Sequence, residues 1–335
     1  MAVLNSGRFK VNINKEQIEK TKGRCKSLAQ GEIPDRVPFI FTPYGFKWAN
    51  PAKRHIAENC EDWLEFQVAR INFQVKEFPE GDYVPFLWDG LGTMFMASLY
   101  GLDVFTDEKQ GFLVKDRLIH RLEKDIERVP EHVDPENIGL GPELKRRVKL
   151  FLEATEGEIM IFLPNIQCPY DVAVQLMGND NFIIAAYDTP DLIHELLKRV
   201  TNATRDVIYA MQKWVGNTDL LMLDNTLPFH GHGLKLHDDY VSVLSPDFHK
   251  EFCYPYNMQL YQEFEFGSFH TCGPYLPHYC NAIFRHKGIT AIEAHGCIRT
   301  CQQRSRNDLL ELKTLCMENN VAISACLDTM GENPV

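Results

Sequence analysis

A histidine and a cysteine separated by one residue form the pair of side chains in this sequence that is best suited to binding a metal. His270 and Cys272 lie in a His-Thr-Cys-Gly stretch, which follows a short apolar run and precedes Pro274. Residues two apart on a strand point to the same face, so the imidazole and the thiolate could converge on one ion. A catalytic zinc takes nitrogen and sulfur ligands, needs a third protein ligand and keeps its fourth position open. We therefore predict a zinc site at this strand end.

The third zinc ligand has three candidates. Cys326 ends the last predicted strand and is the first choice, while Glu293 and Cys297 are the reserves. The spacing of the histidine–cysteine pair alone also fits a hydrogen-bonded histidine beside a buried thiol. On spacing, both interpretations stay open.

Carboxylates and a second histidine pair add to the candidate chemistry. Asp238 and Asp239 would point to opposite faces of a strand, so only one of them could face the site. That residue could serve as a base, an orienting group or a substrate clamp. The alternative is that both lie in an exposed acidic turn. Glu293 ends another strand and is also a candidate catalytic carboxylate. His230 and His232 form a second candidate metal pair, but a glycine-flanked pair also fits a solvated loop.

Helices and strands alternate along the chain. An amphipathic helix over residues 15–30 comes first, 219–233 is expected to be an irregular loop, and the polar, proline-interrupted segment around 100–142 is expected to be an insertion over a barrel mouth. The predicted strands cover 36–41, 82–88, 158–163, 234–239, 267–271, 289–294 and 321–326. Such alternation predicts a parallel α/β architecture, and (β/α)-barrels of this length fold as one domain, here 1–335. Polar residues recur at the carboxyl ends of the strands, where barrels build their active sites.

The composition is that of an ordinary globular protein and weighs against some functions. Apolar residues make up 44% and charged residues 24% of the chain, and the net charge is −11. An acidic chain does not favour nucleic acid or a substrate with many carboxylates. No apolar stretch is long enough to cross a membrane, and the start of the chain has no signal-peptide pattern. We therefore expect a cytoplasmic location, in which the ten cysteines stay reduced.

Several stretches resemble, in the same order, those of the uroporphyrinogen decarboxylase superfamily. They are Gly31-Glu-Ile-Pro-Asp-Arg-Val-Pro38, Leu176-Met-Gly178 with Tyr187-Asp-Thr-Pro190, Leu236-His-Asp-Asp239 with Leu244-Ser-Pro246, and Tyr254-Pro-Tyr256. The stretch from His270 to Gly273 is similar to the His-x-Cys-Gly of the corrinoid-linked methyltransferase branch.

The resemblance implies a fold, a metal and a partner. Members of the branch resembled are (β/α)8 TIM barrels that bind zinc through the His-x-Cys pair and a distant cysteine, and a separate corrinoid protein carries the cobalamin that gives or takes the methyl group. The resemblance thus implies a zinc-dependent methyltransferase acting between that protein and a small methylated compound, a methoxyarene or a thiol. The expected zinc ligands are His270, Cys272 and Cys326, and the expected substrate residues are Tyr44, Asp89, Asn165 and Gln167.

Two alternatives stay open. A uroporphyrinogen decarboxylase would carry an arginine-rich amino-terminal substrate segment, whereas residues 41–50 hold one lysine and no arginine. A non-catalytic barrel that binds a corrinoid partner is the other alternative, because only seven strands are predicted. The closing strand is therefore expected to be missing, mis-assigned or supplied from elsewhere. The oligomeric state, a homodimer included, also stays open.

Overall fold

The computed structural model describes residues 9–40, 59–107, 111–228, 233–271, 277–293 and 306–324. The helices are α1 (Lys15–Ala29), α2 (Cys60–Glu77), α3 (Phe95–Ser98), α4 (Leu122–Asp125), α5 (Gly141–Ala154), α6 (Pro169–Met177), α7 (Asn179–Asp188), α8 (Pro190–Val215), α9 (Pro246–Phe252), α10 (Tyr254–Tyr261), α11 (Pro277–Ile283) and α12 (Arg306–Glu318). The strands are β1 (Phe86–Trp88), β2 (Val104–Asp107), β3 (Gly111–Val114), β4 (Met160–Phe162), β5 (Leu221–Met222), β6 (Gly233–His237), β7 (Phe266–His270), β8 (Ile289–Glu293) and β9 (Ala322–Ser324).

The strands form two parallel sheets and one antiparallel hairpin. In the first sheet β4 lies between β1 and β5, and in the second the order is β6, β7, β8, β9. The sheets meet where the Lys235 N–H donates to the Leu223 carbonyl (3.0 Å) and where Gln167 forms a parallel bridge with His237. Apart from the β2–β3 hairpin, strands that are neighbours in space therefore follow one another along the chain. The strands of a (β/α)-barrel have the same order. Among the described residues no pairing joins β9 to the chain near Ile40, so the closed (β/α)8 barrel stays a prediction.

Two strand assignments made from the sequence are corrected. Leu221–Met222 is a strand inside the segment 219–233 that was expected to be a loop, because two residues are too few to show a period. The buried strand expected at 36–41 is represented, as far as this segment is described, by a single bridge between Ile40 and Asp82, and Val37 is 81% exposed. β5 is therefore a strand that the prediction of seven strands missed.

Helix α1 covers the amino-terminal ends of strands from both sheets. The expected helix over 15–30 is confirmed to within one residue. On its buried face, Ile18 belongs to an apolar cluster with Met160 of the first sheet, and Cys25 belongs to one with Phe266 of the second. Met160 and Phe266 are the first residues of β4 and β7. Because α1 occupies this end, the carboxyl ends are left to build a site.

Helix α8 is the longest helix of the described residues. It begins with Pro190 after Thr189 and ends before Gly216, whose φ of 72° favours glycine. Its buried stripe belongs to the main core, as the 3.6-residue spacing predicts. None of the helices in the described ranges is long and apolar enough to span a membrane.

The segment predicted as a polar insertion, around 100–142, packs on α8 over much of its length. It opens with the β2–β3 hairpin and continues into a core segment in which Ile119 and Val129 are fully buried. Arg199 of α8 donates to the Val129 carbonyl (2.7 Å), and Asp206 accepts the Val133 N–H (2.9 Å). This segment therefore belongs partly to the helical layer, rather than being wholly a cover over the strand ends.

Replacing Asp82 by Asn should lower the free energy of unfolding by about 3 kcal/mol. The Asp82 side chain is fully buried and binds Arg24 (2.7 Å) and Arg36 (2.6 Å), and it also accepts the Phe39 N–H (2.8 Å). An amide would leave the two guanidinium groups without their shared anion. Urea unfolding measures the change.

The matched control for this prediction is Asp35→Asn. Asp35 binds the same Arg24 (2.7 Å), but its side chain is 64% exposed. We expect a loss of at most about 1 kcal/mol. Equal effects of the two substitutions would contradict the role assigned to Asp82.

Candidate functional site

Three side chains lie next to one another at the carboxyl ends of β6, β7 and β8. The parallel register places His237 opposite His270, and His270 opposite Glu293. Each is the last residue of its strand. Because residues in register share a face of the sheet, the three side chains meet, and the His237 and His270 rings are 4.8 Å apart between centroids. The position expected for His270 and Glu293 at strand ends agrees with this arrangement.

The Glu293 carboxylate holds the His270 ring in place. Glu293 Oε2 lies 2.7 Å from Nδ1 of His270. We assign a proton to Nδ1 from this contact, which leaves Nε2 as the nitrogen with the lone pair in the neutral ring. Asp239 Oδ1 lies 3.9 Å from that Nε2. The ring is therefore oriented by one carboxylate and approached by another.

A buried lysine balances the charge of Glu293. Lys235 is 4% exposed, and its Nζ donates to Glu293 Oε2 and to Asn225 Oδ1 (2.9 Å). Burial by itself raises the pKa of Glu293, but the charge of Lys235 and the hydrogen bonds from His270 and Lys235 outweigh it and hold the pKa well below its usual range. Glu293 is therefore ionised at neutral pH.

Lys235 and His237 were missed by reasoning from the sequence. β6 is buried along its whole length; Leu234 and Leu236 join the main core, so Lys235 and His237 occupy the opposite face. A lysine in a buried strand requires a partner, and this was the available signal. Burial, followed by the charges of Lys235 and His270, lowers the pKa of His237 well below its usual value. His237 is therefore neutral at pH 7.

The two consecutive aspartates diverge, and only Asp239 faces the His270 ring. Asp238 is fully buried; its Oδ1 accepts the Val241 N–H (2.9 Å) and its Oδ2 lies 3.2 Å from Nε2 of His249. The side chain of Asp239 is 35% exposed. β6 has already ended at His237, so a local turn rather than strand alternation separates the two side chains. Their catalytic roles stay predictions.

Asp171 positions the backbone of Asp239 and was also missed. Its Oδ2 accepts the Asp239 N–H (2.8 Å), and the residue is 1% exposed. Burial, and after it the negative charge of Asp238, raises the pKa of Asp171 well above its usual value. The protonated acid is therefore favoured at this position.

The residues expected to bind substrate lie in two places. Gln167 pairs with the His237 backbone, and its Nε2 donates to Asn165 Oδ1 (2.8 Å), so both amides lie beside the strand ends. Asp89 follows β1, is 4% exposed and accepts the Leu91 N–H at Oδ1 (2.7 Å). Burial raises the pKa of Asp89 to about 6. Substrate contact stays a prediction for all three.

Part of the expected site lies outside the described residues. These residues are Tyr44, Cys272 and Cys326, together with His230, His232 and Cys297. Zinc ligation by the two cysteines and the substrate role of Tyr44 therefore stay predictions.

A second group of potential metal ligands lies behind Asp238. The ligand atoms of Asp238, His249 and Cys253 are all within 4.8 Å of one another, and all three residues are buried. His249 and Cys253 are four residues apart, which places them about one helical turn from each other. A carboxylate, an imidazole and a thiolate are zinc ligands, so the group could hold a metal ion. The His-x3-Cys spacing was the signal for it in the sequence.

Comparisons with known proteins place the fold. Neither a comparison with family models nor one with curated proteins gives a match. Among solved structures, a methyltransferase from Methanosarcina mazei matches with a TM-score of 0.62 over 90% of this chain and 81% of that one, at 16% sequence identity. At this identity the likeness is one of fold. The chain is therefore a mixed α/β protein with parallel sheets that shares the fold of this methyltransferase.

Replacing Lys235 by Met should lower the free energy of unfolding by about 3 kcal/mol, because the ionised Glu293 loses its buried cation. Adding Glu293→Gln to this variant should recover part of the loss, because the unpaired charge is then removed. Chemical unfolding of the wild type, both single variants and the double variant gives the coupling energy.

An exposed ion pair provides the control for Lys235. Lys213 donates to Glu136 Oε1 (2.9 Å), and its side chain is 73% exposed. Lys213→Met should cost at most about 1 kcal/mol. A Lys235→Met variant as stable as Lys213→Met would show that Lys235 does not compensate Glu293.

Asp89→Asn should become more stable relative to the wild type as the pH rises. The pKa of Asp89 is about 6 in the folded protein, whereas an aspartate in an unfolded chain titrates near 3.9. Between these values the folded state binds more protons, so rising pH destabilises the wild type through this group. The stability difference should move by about 3 kcal/mol in favour of the variant from below pH 4 to above pH 6.

The control for Asp89 is Asp116→Asn. Asp116 also accepts a nearby backbone N–H, that of Arg117 (2.7 Å), but its side chain is 77% exposed. Urea unfolding at several pH values should show no comparable trend for this variant. A pH-independent difference for Asp89→Asn would mean that burial does not raise the pKa of Asp89.

Proposed function

We propose that this chain is a zinc-dependent methyltransferase that moves a methyl group between a small methylated compound and a corrinoid protein. His270, Cys272 and Cys326 would hold the zinc. When bound, the zinc would lower the pKa of a thiol or polarise an oxygen group of the small compound. The cobalt of the corrinoid would carry the methyl group.

The contact between His270 and Glu293 is the observation that carries this proposal. A histidine that binds a metal almost always donates its other ring N–H to a carboxylate, a carbonyl or water. In this chain Nδ1 of His270 lies 2.7 Å from the Glu293 carboxylate, and the lone pair is left on Nε2. The described part of the expected ligand set therefore fits a zinc ion.

The surrounding side chains support the same chemistry. Glu293 fixes the His270 tautomer, and Lys235 keeps Glu293 ionised. Asp239 is partly exposed beside the ring, where it could take a proton from an incoming thiol or hydroxyl. Asn165 and Gln167 offer amide groups at the same strand ends.

The fold and the local charge favour methyl transfer over tetrapyrrole decarboxylation. The site lies at carboxyl ends of parallel strands, the place where barrel enzymes act. One solved structure with a similar fold is a methyltransferase. A tetrapyrrole substrate with many carboxylates needs free cations in its binding site. Here Lys235 already binds Glu293, and Asp238 and Asp239 add further acidic groups.

The test combines metal analysis with a transfer assay. The wild type should bind zinc and should methylate cob(I)alamin from a methoxyarene or a methylated thiol, or else demethylate methylcobalamin with a thiol acceptor. His270→Ala should lose this zinc and lower the transfer rate at least about 100-fold. Glu293→Gln should weaken zinc binding by roughly 10–100-fold, as measured by competition with a chelator.

His194→Gln is the matched control, because His194 is a partly buried histidine on α8 whose Nδ1 binds the Tyr256 hydroxyl (2.8 Å). It should leave zinc content and transfer unchanged. Zinc content and transfer rate that stay unchanged in His270→Ala would refute the proposal. Turnover of uroporphyrinogen without methyl transfer would favour the decarboxylase, and binding of a corrinoid protein without any turnover would favour a non-catalytic barrel.

A further inference from the structure

A second metal site can be inferred from the three buried side chains behind the His270 group. Asp238 follows β6, His249 lies on α9, and Cys253 follows that helix. They are 0%, 1% and 0% exposed. Their ligand atoms lie within 4.8 Å of one another, although they come from two separate parts of the chain.

The spacing of these groups matches tetrahedral zinc. Asp238 Oδ2 and His249 Nε2 are 3.2 Å apart. Zinc bonds to oxygen and nitrogen of about 2.0–2.1 Å, at a tetrahedral angle, put the two ligand atoms about 3.3 Å apart. An ion could therefore enter between them with little movement of either side chain. The combination of oxygen, nitrogen and sulfur ligands favours Zn²⁺ over Mg²⁺ or Ca²⁺, which take oxygen ligands.

The electrostatic surroundings suit a cation. The carboxyl groups of Asp238 and Asp171 and the thiols of Cys253 and Cys168 are all buried, and they lie close enough to interact electrostatically. Asp171 Oδ1 and His249 Nδ1 are buried without a hydrogen-bond partner. Four acidic groups thus share one dry region, where a divalent cation would stabilise their ionised forms.

A cavity beside α9 borders one of the three ligands. The cavity has a volume of about 270 Å³, and His249 forms part of its wall together with Lys250, Tyr254, Ala282 and Arg285.

We propose that Asp238, His249 and Cys253 bind a structural Zn²⁺ that fastens the turn after β6 to α9. Binding converts the Cys253 thiol to a thiolate, and its proton is released to solvent. Asp238 then serves this ion, while Asp239 alone remains for chemistry beside His270. The inference does not depend on the proposed function, because it uses none of the expected catalytic zinc ligands.

The experiment uses the full chain in the His270→Ala background, in which the proposed catalytic zinc is disabled. This variant should still hold about one equivalent of zinc. Loaded with Co²⁺ instead, it should show the absorption of a tetrahedral thiolate site. Adding Cys253→Ser should abolish both signals, and so should His249→Gln. A chelator should lower the Tm of His270→Ala by at least about 5 °C but leave the Tm of the double variants unchanged.

Cys60→Ser is the matched control, because Cys60 is a fully buried thiol at the start of α2, away from the three ligands. In the His270→Ala background it should leave the zinc and the Co²⁺ spectrum intact. Zinc that is absent from His270→Ala, or retained after Cys253→Ser, would overturn the proposal. If a Cys253→Ser variant does not fold, the Co²⁺ spectrum of His270→Ala with and without His249→Gln decides. If Cys253→Ser loses zinc and His270→Ala does not, the result would support this second site and would contradict the proposed catalytic zinc site.

Discussion

The Glu293 carboxylate can stay ionised although it is partly buried, because Lys235 on β6 and His270 on β7 both donate to it. A buried carboxylate without partners costs several kcal/mol. Lys235 starts on β6 and Glu293 on β8, with β7 between them. In register, the residue of β7 opposite Lys235 is Ser268, and Ala291 follows on β8. These small side chains leave room for the lysine to cross β7, so the sheet register itself makes the ion pair.

The amino-terminal ends of the strands pack against apolar side chains, whereas charged side chains lie at the carboxyl ends. Helix α1 brings an apolar face to the amino-terminal ends and is fastened there by the Arg24–Asp82 ion pair. Apolar side chains of α1 therefore pack at that end of the sheets. Lys235, His270 and Glu293 collect at the carboxyl ends, where neighbouring strands compensate their charges. The winding of the strands thus determines where chemistry can occur.

The sequence alone could predict the positions of the site but not its contacts. His270 and Glu293 close apolar runs, so their places at strand ends follow from a local pattern. Lys235 and Glu293 are 58 residues apart, and Asp171 and Asp239 are 68 apart, so no local pattern pairs them. Short elements fail for another reason: β5 has two residues, and its burial comes from neighbours that only the fold supplies.

The peptide between Asp238 and Asp239 joins the two candidate metal-binding groups. Asp238 turns towards His249, Asp239 turns towards His270, and Asp171 holds the Asp239 N–H from a third direction. The backbone at this junction therefore cannot shift towards one group without changing its distance to the other. A rigid contact on the Asp238 side restricts where the Asp239 carboxylate can stand. The contact between Asp238 and His249 therefore limits where the Asp239 carboxylate, which faces the His270 ring, can lie.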